Sequence, residues 1–295
     1  MDRLEEKADA MLHSPLGCGF LLAAAASGLS PAEIAAPRNS LYLCACASVT
    51  IDVWQGEPYY SRIRDEIMRQ GQQHRELALS VLEQPDAATW FGPLDTESQV
   101  WVSQHGQAPD PARFIAPASP LSNWERYAEK PQHGMFTSTL TSWTAAILVG
   151  IDQRVGDLTG LSSNHGDPYP LWFLKADQSA RVFEVDGPQA WHDLCARYPA
   201  AGIRNQTTPD FSMDEGRIVP DWPAVAVDWD AVHLTFGGLL TAEQVRVESS
   251  SGWTYHWSWN VEQTLWLRWM FTHVERMPDH QPERSPPFSA RAEFY

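Results

Sequence analysis

Basic residues are scarce in this chain of 295 residues: Lys and Arg number 21 against 37 Asp and Glu, for a formal net charge of −16. So acidic a surface repels phosphate backbones and anionic lipid, which argues against nucleic acid or a membrane surface as a partner. Cysteine is equally sparse. Cys18, Cys44, Cys46 and Cys195 show neither the CxxC nor the zinc-knuckle spacing, and they read as buried, reduced thiols. The apolar run 16-LGCGFLLAAAASGL-29 has no positive segment ahead of it and is too short to span a bilayer. It reads as a buried helix, with the cytoplasm as the expected location. Signature motifs are missing too. There is no phosphate-binding Gly-rich loop, no HExxH, no GxSxG and no Cys/His cluster at zinc spacing, so no metal site is expected. With 43% hydrophobic and 20% charged residues, the composition lacks the signature of disorder, and neither a repeat nor a low-complexity tract is present.

What is there divides by texture at about residue 95. Residues 1–95 read as a helical N-terminal region. Ser30-Pro31-Ala32-Glu33 is a capping box with proline at the first helical position, just after the Gly28 stop. From Tyr59 to Pro85, Ile63, Ile67, His74, Leu77 and Val81 recur on one helical stripe, which predicts a single helix with His74 in the core. Residues 96–295 break into short segments punctuated by Pro and Gly. Strands are predicted at 99–103, 112–116, 181–186 and 224–236, with a central strand at 264–271 and a short helix at 188–199. Trp253, Tyr255, Trp257 and Trp259 share one face of an extended segment, suited to sheet packing or to stacking an adenine or nicotinamide ring. The expected fold class is α+β: a helical part followed by a mixed-sheet domain. Fourteen tryptophans suggest an aromatic-lined cavity.

One stretch is richer in hydroxyls than packing requires. In 133-HGMFTSTLTSWTAAILVG-150, Phe136 precedes Thr137-Ser138-Thr139, Thr141-Ser142 follows, and an apolar run closes the segment as a strand, a turn and a helix. This arrangement resembles the Ser-Thr-Ser element of the ADP-ribosyltransferase superfamily, with Ser138 in the central place. Late in the chain, 260-NVEQTLWLRWMF-271 places Asn260 two residues before Glu262, which directly precedes an apolar strand. That is similar to the family's catalytic glutamate and the polar residue ahead of it.

The resemblance implies a mixed-sheet fold over roughly residues 99–275 that binds NAD as a substrate. The hydroxyl element, with Phe136, Thr137 and Thr139 beside Ser138, would brace the nicotinamide–ribose pocket. Glu262 would hold the ribose and stabilise the oxocarbenium ion formed as nicotinamide leaves. The family's early Arg or His contact to NAD has three candidates here: Arg113, His105 and Arg126. The Tyr-Arg pair usual at that strand's centre is absent. Lys130, before Pro131, forms a turn or touches a phosphate. His165-Gly166-Asp167 has turn composition, or could serve as an acid–base or metal pair. The implied activity is cleavage of the nicotinamide–ribose bond and transfer of ADP-ribose to a small molecule, a protein or water. Two other readings stand beside it. One is a non-catalytic binding protein that meets a partner through its N-terminal helices; the other is an enzyme acting on a different nucleotide or sugar in the same pocket. Geometry separates packing from chemistry: a ligand role requires the Ser138 hydroxyl near the Glu262 carboxylate, in one cleft.

Overall fold

Ser14 accepts a hydrogen bond from the Gly17 amide at 3.4 Å and opens a helix that ends at Gly28, whose φ of 71° suits glycine. This helix is buried on every side along its first ten residues, as an apolar segment without a polar face must be. The other helices of the N-terminal part pack around it. The structure is a computed structural model, and it describes residues 3–51, 58–102, 107–114, 134–153, 170–201, 216–256, 259 and 261–279. In chain order the first helices are α1 (Arg3–Leu12), α2 (Pro15–Ser27), α3 (Pro31–Ala35), α4 (Pro37–Ile51), α5 (Pro58–Gly71) and α6 (Arg75–Leu82). The Ser30 capping box forms as expected, with Glu33 bonded back to the Ser30 amide at 2.9 Å.

The single helix predicted over 59–85 is divided in two. A 3-10 turn, Gln72–His74, separates α5 from α6. At Gly71 a β-carbon would lie 2.4 Å from that of Cys18, so the chain passes α2 at a distance only glycine permits. His74 accordingly sits half-buried in the turn rather than in the core. All four cysteines are buried thiols outside any disulfide.

Helix and sheet then mix. The strands are β1 (Gln99–Val102), β2 (Met135–Thr137), β3 (Leu171–Ala176), β4 (Val182–Val185), β5 (Pro199–Ala201), β6 (Ile218–Pro220), β7 (Ala231–Leu234), β8 (Arg246–Ser249), β9 (Gly252–Tyr255), β10 (Gln263–Trp266) and β11 (Phe271–Arg276). Among them run α7 (Leu140–Gln153), α8 (Pro188–Arg197), α9 (Trp222–Asp228) and α10 (Phe236–Ala242). One sheet has the order β1-β3-β11 and another β2-β10-β7-β4, with β5-β6 and β8-β9 as separate pairs. In the four-stranded sheet only β4 and β7 are parallel, and α8 lies on the connection between them. Val100 and Ser138 exchange backbone hydrogen bonds of 2.8 and 3.1 Å, so the two larger sheets meet where β2 ends.

Three of the predicted strands are corrected. Arg113 closes a 3-10 turn, Pro111–Arg113, begun by the Asp110 side chain, and does not open a strand. The segment 224–236 starts as α9, with Pro223 in its first turn, and becomes β7 only at Ala231. The run 264–271 serves two sheets, ending β10 at Trp266 and beginning β11 at Phe271. One apolar core takes residues from Ala8 to Leu267 and so joins the helices to the four-stranded sheet. A second core, built on Met135, Leu174, Trp266 and Phe271, draws on both larger sheets.

Candidate functional site

Strand β10 pairs antiparallel with β2 on one side and with β7 on the other. The last residues of β2 and β7 therefore lie beside the first of β10, and the residues just beyond those ends converge. Thr264 faces Thr137 across one pairing and His233 across the other, while His233 is in register with Glu184 of β4. By the two-residue period of a strand, Glu262 projects to the same side as Thr264. A row of polar side chains thus crosses the end of the sheet.

The hydroxyl stretch divides its work. Buried Thr137 donates to Gln99 Oε1 at 2.6 Å and accepts from the indole of Trp266 at 2.8 Å. Thr139 accepts from the Ser142 amide at 3.1 Å and so caps α7. Ser138 donates to the main-chain carbonyl of Glu262 at 2.5 Å, and Ser142 reaches the same oxygen at 3.3 Å. Ser138 and Glu262 do meet, but not as expected: the hydroxyl holds the glutamate's backbone and not its carboxylate. Phe136 packs edge-on against Trp259 at 5.8 Å.

The carboxylate faces a different partner. Glu262 Oε1 lies 3.3 Å from His233 Nε2, and His233 Nδ1 lies 2.5 Å from Glu184 Oε2. The remaining Glu184 oxygen accepts the Leu94 amide at 3.0 Å. Burial of the His233 ring disfavours its charged form. The hydrogen bonds and charges of the two carboxylates outweigh this and raise its pKa to about 9. Among the described residues, the basic side chain bonded to the Glu262 carboxylate is thus that of His233.

Glu262 and His233 line a cavity of about 270 Å³. One wall carries Ser40 and Leu41 of α4, with Trp90 and Asp95 from the segment before β1; the chain around the start of α7 adds Thr139 and Thr141, and the chain just past the end of β7 adds Thr235. Trp90 and Phe236, both at the cavity, meet edge to face at 4.9 Å. Trp253, Tyr255 and Trp259 take no part in this lining and are packed into cores. His105, Arg126, Lys130, His165, Trp257 and Asn260 lie outside the described residues. Among the described residues, no group of three His, Cys, Asp or Glu side chains forms a metal site. Two members of the site, His233 and Glu184, are not singled out by the sequence reading. The signal for them is a lone His in 231-AVHL-234 and a lone Glu in 182-VFEV-185, polar residues within otherwise apolar strands. No protein-family model, no curated protein and no solved structure matches this chain.

Proposed function

We propose that the chain is an ADP-ribosyltransferase-like enzyme that cleaves the nicotinamide–ribose bond of NAD. One observation carries this reading: the Glu262 carboxylate lines a cavity while hydroxyls of the Ser/Thr-rich element hold its own main chain. A largely buried carboxylate that lines the same cavity as an aromatic pair suits a reaction in which positive charge moves from a pyridinium ring to a sugar. As the C–N bond breaks, its electron pair stays with the nicotinamide nitrogen. The ribosyl carbon becomes an oxocarbenium centre, which Glu262 stabilises until a water or an acceptor hydroxyl adds and releases a proton.

At about 270 Å³ the cavity is small beside those that enclose whole drug-sized ligands, a size that suits the nicotinamide–ribose part of NAD better than the whole molecule. The diphosphate would lie beyond it. The test is nicotinamide release from NAD by the wild type and by Glu262→Gln. The variant is expected to lose about 100- to 1,000-fold in rate; equal rates would sink the assignment.

A second reading, hydrolysis of an uncharged ribonucleoside in the same cavity, is favoured by one feature: no Lys or Arg is found among the described residues of the lining. Release of free base from nucleosides, with none from NAD, would select it.

A further inference from the structure

A neutral imidazole has one N–H and one lone pair, whereas an ionised carboxylate only accepts. With Glu184 at 2.5 Å on one nitrogen and Glu262 at 3.3 Å on the other, both contacts of His233 are hydrogen bonds to ionised carboxylates only if the ring carries both protons. The ring is 4% exposed, so it exchanges almost all hydration for these two partners. Glu184 is itself held from the far side by the Leu94 amide, within the segment whose Gly92, Pro93 and Asp95 line the cavity. An ordered chain thus runs from the cavity rim through Glu184 and His233 to Glu262. The charged groups that face His233 are Glu184 from β4 and Glu262 at the start of β10; the α7 side offers the hydroxyls of Thr139 and Thr141, and Asp95 adds a third carboxylate to the same cavity.

We infer that Glu184 and His233 are positioning residues: Glu184 keeps the His233 ring donating from both nitrogens, and His233 aims the Glu262 carboxylate at the cavity. The inference rests on Glu262 being the reacting carboxylate in the proposed reaction. It gives the histidine a task that the hydroxyl element leaves open, since Ser138 and Ser142 fix only the main chain of Glu262. No bond is made or broken in the relay; it sets the direction of one carboxylate.

Two readouts test it together. Histidine ring resonances, followed by NMR from about pH 6 to 10, report His233 directly in the wild type, E184Q and E184D. In the wild type the ring should keep both protons to about pH 9; in E184Q its titration should move at least one pH unit lower, and E184D, which retains the charge, should restore part of the difference. Nicotinamide release against pH should show the same displacement of its alkaline limb. At about pH 8.5, kcat in E184Q should fall at least about threefold with KM for NAD nearly unchanged. A ring that titrates near its ordinary value in the wild type would overturn the inference. So would an E184Q profile lowered equally at every pH, as a merely structural role predicts. Should the wild type release no nicotinamide while the ring titrates high and shifts in E184Q, the relay stands and the NAD reading fails.

Discussion

Ser138 and Ser142 direct two hydroxyls at one acceptor, the carbonyl of Glu262, from successive places around the start of α7. Each alone satisfies that oxygen, so each single alanine variant should cost only about 1 kcal/mol, with Ser138→Ala the larger because its bond is the shorter. The double variant removes both donors that the described residues supply. It should cost more than the sum of the singles by roughly another 1 kcal/mol, as urea unfolding would report; simple additivity would show that the two hydroxyls act independently. At this scale the sequence was partly readable. Five hydroxyls between a Met-Phe pair and an apolar run are a local anomaly, and so could be seen without knowing what they bond. Their acceptor could not, because 124 residues separate Ser138 from Glu262. Glu184 and His233 each look like an ordinary interruption of a strand until the register of β4 and β7 places them side by side.

Helix α10 shows how an element fixes the cavity. It starts directly after β7, with Thr235 accepting from the Gly238 amide at 2.8 Å, and both Thr235 and Phe236 line the cavity. A β-carbon at Gly238 would stand 2.0 Å from the carbonyl oxygen of Val185 at the end of β4. No side chain can yield there, since the obstacle is main chain. Gly238→Ala should therefore push α10 off the sheet, destabilise the fold by about 2–4 kcal/mol and lower the rate of the site reaction together with its melting temperature. An alanine variant as stable as the wild type would show that this helix can slide. Other elements were legible in proportion to how local their causes are. The capping box of α3, the Gly28 stop and the strand–turn–helix at 135–153 follow from residues within a few positions of one another. The turn that divides 264–271 has no Gly or Pro to announce it; it is held by the Leu267 amide on the Asp230 carbonyl at 2.8 Å and by the Arg268 guanidinium on the Ala226 carbonyl. Segment 224–236 hid a helix because its alternating Ala and Val also fit a strand, while Pro223 just ahead of it stands in the first turn of α9.

Across the whole molecule, the buried ionisable groups set the response of stability to pH. The His233 pKa stands at about 9 when folded, against an ordinary value near 6.5. A group with a raised folded pKa contributes fully below its unfolded value and ceases to contribute as pH rises through the folded one. The loss should therefore begin near pH 6.5, be complete a little above 9, and amount to about 3 kcal/mol. Losing the imidazolium also leaves two facing carboxylates in a chain that already carries a net charge of −16. A second decline follows at higher pH. Burial pushes the thiols of Cys18, Cys44 and Cys195 upward, so they stay neutral in the folded protein while unfolded thiols ionise above about pH 8.5. On the acid side, burial of Asp230 opposes its ionisation, but the Arg181 side chain and amide prevail and hold its pKa low. The stability it contributes is present above the ordinary aspartate range and is lost as pH falls through that depressed value. The curve should accordingly be highest between about pH 5 and 6.5. Unfolding free energies measured at half-unit steps in the wild type and in H233N separate these causes. H233N should be less stable near neutrality and flat up to about pH 8.5, then fall in parallel with the wild type. A wild type equally stable at about pH 6.5 and 9 would mean that His233 is neutral between its two carboxylates, and the charge arrangement assigned to the cavity would have to be abandoned.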